Sequence, residues 1–187
     1  LIEDDEYFEL LKSKKKCTAE NLWQQFFEKN PWIFGYGLNY IYLSAFDDKK
    51  LEQTVQGHRI EQHGKRADAL LKSRGVLSSL CFVEIKTHNT PLVAPKSYRA
   101  GCWAPSNELN GAVSQVQVTV ASATDSIRGK LAVTNPDGFP TGEEAFNYSQ
   151  KAYLVVGNLS EFVGTHGVNE EQHRSFELYR GNMGSPE

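Results

Sequence analysis

The sequence contains few cysteines and no long apolar segment. Its three cysteines, Cys17, Cys81 and Cys102, are odd in number and unevenly spaced, which is typical of reduced cytosolic thiols rather than of a disulfide framework. No apolar run approaches the roughly 20 residues that a membrane-spanning helix needs. A signal-peptide pattern is also missing, because acidic residues stand where positive charge would be expected: Glu3, Asp4, Asp5 and Glu6. We therefore expect a soluble, cytoplasmic protein without a membrane partner.

The chain also lacks a surplus of positive charge. Its 20 Lys and Arg are outnumbered by 23 Asp and Glu, so the net charge is −3 and no global positive field attracts nucleic acid. Contacts with phosphates would have to come from local clusters of basic residues. The cluster near the N terminus is typical of a solvated helix end: Lys12, Lys14, Lys15 and Lys16. A second cluster flanks the candidate site described below and has the better claim to contact DNA: Lys65, Arg66, Lys72 and Arg74.

The signature loops of several enzyme classes are absent too. The sequence has no Gly-x-Ser-x-Gly elbow, no Walker loop and no Gly-x-Gly-x-x-Gly turn. A small-molecule hydrolase on an α/β scaffold therefore has little support.

What the sequence does contain is enough apolar material for one α/β domain, since 187 residues are 40% hydrophobic. Apolar spacing and caps predict helices at 2–16, 18–30 and 169–179, with Thr18 as a cap. Alternation and β-branched residues predict strands at 39–46, 51–55, 66–71, 80–86 and, buried and late in the chain, 151–157. A basic turn is predicted at 72–75, and the first strands suggest an antiparallel sheet. Residues 88–105 lack any sustained period and are predicted to form a long loop, which tends to carry function.

The most informative chemistry is one acid followed by a Glu-x-Lys triplet. Fifteen residues separate Asp68 from Glu84, which begins Glu84-Ile85-Lys86 at the end of an apolar strand. Alternation puts Glu84 and Lys86 on one face of that strand, about 6–7 Å apart. Two charges in so apolar a strand need compensation, and two carboxylates with the Ile85 carbonyl would form an oxygen site suited to Mg²⁺. The pattern is short, however, and surface charges on an edge strand would produce it as well.

A further segment begins at Ser106, where a helix cap is followed by apolar residues at helical spacing: Leu109, Ala112, Val113, Val116 and Val120. The alternation of valines from Val116 to Val120 fits a strand equally well. The cap and the family resemblance described next favour a helix, on which Gln115 lies off the apolar face.

The order of acid, Glu-x-Lys and a helix with Gln resembles the PD-(D/E)xK nuclease superfamily, with Asp68, Glu84, Lys86 and Gln115 at the matching positions. Two longer blocks, residues 30–35 (Asn-Pro-Trp-Ile-Phe-Gly) and 105–109 (Pro-Ser-Asn-Glu-Leu), make residues 20–160 similar to the nuclease domain of the Shedu antiphage defence proteins. The resemblance implies an α/β fold of the α+β type with a restriction-endonuclease-like core, in which helices flank a central mixed sheet. It also implies Mg²⁺-dependent, or Mn²⁺-dependent, nicking or cutting of DNA in bacterial defence.

The same resemblance suggests that an acid of the first core helix, here Glu20, joins the metal shell, although a solvated helix acid fits the pattern equally well. Arg99 in the long loop could hold a DNA phosphate through its guanidinium, although an exposed arginine without a partner is the commoner case. The second basic cluster offers Arg66, Lys72 and Arg74 for the same task. Related nucleases often carry a tyrosine four residues after the glutamine, where this chain has Thr119. Trp103 could stack on a base, although tryptophans more often anchor a core.

The chain starts at Leu1 and ends in turn-like sequence, so we expect a piece of a longer protein. Residues 1–17 would then be a helical lead-in and residues 18–187 the nuclease domain. The expected partner is double-stranded DNA, and a homo-oligomer is expected by analogy, because assembly readily controls a cutting domain. The competing hypothesis is a catalytically inactive module that keeps the nuclease fold for DNA binding or oligomeric assembly.

Overall fold

The computed structural model describes residues 4–35, 42–45, 69–74, 79–127, 129–134 and 139–186. Within these ranges the chain forms four α-helices: α1 Asp5–Lys15, α2 Ala19–Lys29, α3 Asn107–Ser126 and α4 Glu170–Gly181. The main strands are β1 Tyr42–Ala45, β2 Ala69–Arg74, β3 Ser79–Ile85, β4 Lys130–Thr134 and β5 Pro140–Val155. Short 3-10 helices cover Pro31–Gly35 and Leu159–Phe162, and β6 Val163–Gly164 pairs with β7 Gly167–Val168.

The five main strands form one mixed sheet in the order β1-β2-β3-β5-β4. The first three strands are antiparallel, as the sequence suggested, but β3 and β5 run parallel with Glu84 opposite Leu154. Parallel neighbours require a long crossover, and the segment that contains α3 provides it. The sheet is therefore mixed and accompanied by helices, as the family resemblance implied, and β3 lies at its centre.

Three predicted helix starts are confirmed by their caps. The side chains of Thr18, Ser106 and Asn169 accept hydrogen bonds from backbone N–H groups three residues ahead, at 3.2, 2.9 and 3.2 Å. The ambiguity in the valine segment is decided in favour of the helix. Val116 is buried but Val118 is 52% exposed, whereas a strand would have placed both on the same face.

Other sequence predictions need correction. Residues 72–74, predicted as a turn, belong to β2, where Lys72 pairs with Leu80 of β3 and Arg74 with Tyr42 of β1. The late strand is much longer than residues 151–157, and within that segment only Ala152 is buried. Both errors arise because partner strands extend an element beyond its apolar stretch. The predicted strand at 51–55 lies outside the described residues.

The alternation of β3 feeds two cores on opposite faces of the sheet. Its odd-numbered residues Cys81, Val83 and Ile85 face α1 and α2. They belong to a core made of these buried side chains: Phe8, Leu22, Trp23, Phe27, Phe34, Leu71, Cys81, Val83 and Ile85. Its even-numbered residues Leu80 and Phe82 pack on the α3 side with Ala123 and Ile127. Glu84 belongs to this second set by alternation and so faces α3.

A third core lies between the long loop, α3 and α4. It contains the buried side chains of Leu92, Val93, Leu109, Val113, Phe162 and Phe176. The predicted loop is therefore confirmed as irregular but is packed, and Trp103 lies against this core rather than on the open surface. An isolated β-bridge between Val93 and Pro105 joins the two arms of this loop.

The three cysteines are free thiols, with Cys81 buried. None of the helices in the described part of the chain is long and apolar enough to span a bilayer.

Candidate functional site

Glu84 is the centre of the site. It lies one residue before the end of β3, and only 2% of its surface is exposed, because β2 and β5 flank the strand and α3 covers this face. An unpaired carboxylate in such a place would lose several kcal/mol of hydration. Among the described contacts, a lysine ammonium and a glutamine amide compensate the charge.

Lys86 supplies the cation. Its Nζ lies 2.9 Å from Glu84 Oε1, as the shared strand face predicts. The backbone N–H of Lys86 donates to Val155 O at 2.8 Å, so the pairing with β5 continues past the end of β3 and fixes the main chain. The Lys86 side chain is 25% exposed against 3% for Glu84, so the amine is within reach of solvent while the carboxylate is enclosed.

Gln115 supplies the amide. Its Nε2 donates to the same oxygen, Glu84 Oε1, at 2.5 Å, across 31 residues of sequence. Helix α3 holds it there, because the Ser106 cap fixes the helix start and the apolar residues on either side, Ala112 and Val116, are buried. The sequence predicted a contact of Gln115 with a metal-bound water or the DNA backbone. The direct bond to Glu84 was not foreseen, since residue spacing gives no distance between α3 and β3.

Thr119 stands four residues after Gln115, where the resemblance in sequence would place a tyrosine. Its hydroxyl donates to the Gln115 backbone carbonyl at 2.9 Å, and the residue is 6% exposed. A buried hydroxyl that bonds its own helix is satisfied locally. Thr119 therefore supports the backbone at Gln115 and offers no group to a ligand.

The remaining predicted site residues are placed as follows. Asp68 and Arg66 lie outside the described residues. Ile85 stands between Glu84 and Lys86, and its side chain is fully buried in the core on the opposite face. Lys72 and Arg74 occupy β2.

Glu20 and Arg99 are both on the surface. Glu20 is exposed in the first turn of α2, whereas Gln24, one turn further, is 8% exposed. Arg99 is exposed in the long loop, and its guanidinium carbon stands 5.3 Å from the centroid of the Tyr98 ring. Nothing in the described contacts joins Glu20 or Arg99 to Glu84.

The donor chemistry of the site suits a hard cation only in part. The Glu84 carboxylate is a ligand that Mg²⁺ accepts, and an amine beside it can act on a water or a phosphate. Among the residues that the structure describes, no three His, Cys, Asp or Glu side chains come together to hold a metal ion. The second carboxylate that the sequence predicted for this metal, Asp68, lies outside the described ranges.

One feature beside the site was not foreseen from the sequence. His88, two residues after Lys86, is buried between aromatic side chains of α1 and α2, and its ring accepts a hydrogen bond from the Trp23 indole. The partners are 65 residues apart, so local periodicity carried no signal for the pair.

The sequence of the chain matches known proteins. The family model for the C-terminal part of the Shedu protein SduA matches residues 18–187. Over 173 residues the chain is 30% identical to the Shedu protein SduA of Bacillus cereus (strain B4264). These aligned residues are 91% of this chain and 42% of that relative. The chain thus spans less than half the length of the curated relative that it matches. Because the family model matches most of its residues, the chain belongs to the Shedu protein family.

Proposed function

We propose that this chain is the nuclease domain of an antiphage defence protein and hydrolyses phosphodiester bonds of DNA with the help of Mg²⁺. Membership of the Shedu family supports the role in defence. The observation that carries the enzymatic part is the convergence of Lys86 and Gln115 on one oxygen of a buried carboxylate. We further propose that the sheet and its helices form a PD-(D/E)xK core.

Packing alone gives a poor account of this cluster. A buried ion pair costs desolvation of both charges, and apolar residues of similar volume often replace such pairs with no loss of stability. Glu84 lies on the central strand, where an apolar side chain would pack well, and Lys86 follows directly after the end of that strand. Charged groups kept in such a place are candidates for chemistry.

In the proposed site Glu84, the Ile85 carbonyl and Asp68 would hold the metal ion. Asp68 immediately precedes Ala69, which pairs with Val83 next to Glu84. Bound Mg²⁺ would supply a water of lowered pKa and polarise the phosphodiester. Glu20 stays a further ligand candidate, although it is exposed in α2.

The protein groups have separate tasks. The Lys86 ammonium, partly open to solvent, orients the attacking water or stabilises the negative charge that grows on the phosphate. Gln115 holds Glu84 in one rotamer through its 2.5 Å hydrogen bond, so the carboxylate is oriented before a ligand arrives. The phosphates of double-stranded DNA would contact Arg66, Lys72, Arg74 and Arg99. The domain works as a homo-oligomer in this proposal, because assembly readily controls a cutting domain.

The test is cleavage of supercoiled plasmid with Mg²⁺ or with EDTA, followed on an agarose gel. Wild type should produce nicked or linear DNA only with metal, and Glu84→Gln and Lys86→Met should produce none. The matched controls are Glu144→Gln and Lys130→Met, which break an exposed ion pair on β4 and β5 and should cut normally. Full cutting by Lys86→Met would refute the assignment, whereas a metal-independent gel shift without cutting would favour an inactive DNA-binding module.

A further inference from the structure

The first buried side chain after Lys86 is that of His88, two residues further along the chain. It is 8% exposed and lies on the α1 and α2 side of the sheet, opposite to Glu84. The Phe8 ring packs edge-on against it at 4.6 Å between centroids, and the Trp23 ring does so at 5.5 Å. These two aromatic residues are themselves almost fully buried, and His88 also lines an open cleft together with Asp5.

The hydrogen bonds of the imidazole define its orientation. Trp23 Nε1 donates to His88 Nδ1 at 3.1 Å. Because an indole N–H is a donor only, Nδ1 must be the acceptor, and the proton of the neutral ring is on Nε2. That nitrogen donates to Asp5 Oδ1 at 3.3 Å. The Asp5 side chain is 80% exposed, so the Trp23 bond is the stronger anchor.

Burying a histidine in this space costs more free energy than burying an apolar side chain would. An apolar side chain would pack between Phe8 and Trp23 without the cost of burying a polar ring. What the imidazole adds is a directional bond that fixes the main chain of residue 88 relative to α2. Trp23 is in turn held by Phe26 and Phe27, with ring centroids 5.7 and 5.9 Å away.

The main chain between His88 and Lys86 is short and held at both ends. Two residues span at most about 7 Å. On one side, Lys86 N donates to Val155 O and Gly157 N donates to Thr87 O, which ties both residues to the end of β5. On the other side, Trp23 holds His88. The direction of the Lys86 side chain toward Glu84 therefore depends on two anchors.

We propose that His88 is a positioning residue for the reaction: through its bond to Trp23 it fixes the end of β3 so that the Lys86 amine stays at Glu84. This inference rests on the proposed nuclease function for its catalytic consequence. Helix α1, which packs Phe8 on the same imidazole, precedes the residues matched by the family model, so the anchor joins that helix to the matched region.

The kinetic test uses variants that remove one atom group at a time. Trp23→Phe deletes the indole N–H, and His88→Leu deletes its acceptor, while His88→Asn places an amide oxygen where Nδ1 stands. The matched control is Trp32→Phe, because the indole of Trp32 bonds Asn30 on the surface and the residue is 59% exposed. Because a shift of about 1 Å in a reacting group can cost about 100-fold in rate, we expect His88→Leu and Trp23→Phe to lower kcat by about 10- to 100-fold. The KM for DNA should stay within about two-fold, His88→Asn should recover most of kcat, and Trp32→Phe should match wild type.

A second readout does not depend on cutting. Reductive ¹³C-methylation of the lysines gives each amine an NMR signal, and a Lys86→Arg variant identifies the signal of Lys86. That signal should move in His88→Leu and Trp23→Phe toward its position in Glu84→Gln, where the ion pair is lost, and should not move in Trp32→Phe. Unchanged kcat together with an unmoved signal would overturn the proposal, as would equal losses in His88→Asn and His88→Leu. If wild type cuts no DNA, the proposed function fails while the NMR signal still decides whether His88 positions Lys86.

Discussion

Replacing Glu84 and Lys86 by neutral side chains of similar shape tests whether their ion pair serves stability or function. Glu84 is enclosed and Lys86 is its cation at 2.9 Å, so Lys86→Met leaves a buried carboxylate with the Gln115 amide as its described donor. Removing one partner of a buried pair typically costs about 3–5 kcal/mol. Because the Lys86 side chain is 25% exposed and water can reach the place of its amine, we expect about 2–3 kcal/mol.

The double variant Glu84→Gln/Lys86→Met should behave differently. It has no buried charge, and the glutamine keeps an acceptor for the Gln115 amide. We therefore expect its free energy of unfolding to lie within about 1 kcal/mol of wild type, or above it. The cycle of the two single variants and the double variant should then give a coupling free energy of about 2 kcal/mol.

Urea unfolding followed by circular dichroism measures all four proteins. Lys130→Met serves as the exposed control and should leave the urea midpoint unchanged. A double variant that is stable but cuts no DNA would show that the pair is kept for chemistry. If the double variant is as unstable as Lys86→Met alone, the pair stabilises the fold and the argument from desolvation is refuted.

Three further changes test the surroundings of the site. Gly157→Ala should lower the free energy of unfolding by at least about 1–2 kcal/mol. Residue 157 has φ +66°, and its new Cβ would stand 2.8 Å from the Thr90 carbonyl oxygen. A urea midpoint equal to that of Gly184→Ala would contradict this expectation. Gln115→Leu should keep the fold and lower the cleavage rate at least about 10-fold, since the buried carboxylate loses an orienting donor; an unchanged rate would remove Gln115 from the site. Tyr179→Phe should cost about 1 kcal/mol near pH 7, because the phenol donates to Asn110 Oδ1 at 2.9 Å. Burial raises the pKa of Tyr179 above 10, so its contribution is present below pH 10 and is lost as the pH rises through the raised pKa, and melting curves should show the gap to wild type closing there.

The local elements were predictable because their signals lie within a few residues. Each cap at Thr18, Ser106 and Asn169 satisfies an N–H three residues away, so the helix starts follow from short sequence patterns. The apolar alternation of β3 likewise placed Glu84 and Lys86 on one face, and the ion pair between them confirms that placement. The same short-range reasoning failed for residues 72–74, where pairing with β1 and β3 extends a strand through a turn-like sequence.

The sequence by itself thus determined the starts of α2, α3 and α4, the strand β3 and the face on which Glu84 and Lys86 meet. The tertiary structure decided that β5 runs parallel to β3, that Gln115 reaches Glu84 across 31 residues, and that His88 is held by Trp23 across 65. Periodicity reports which side chains share a face of one element, but it carries no information on the distance between elements. That distance is fixed only when the apolar faces of α1, α2 and α3 pack on the sheet and exclude water from the groups between them.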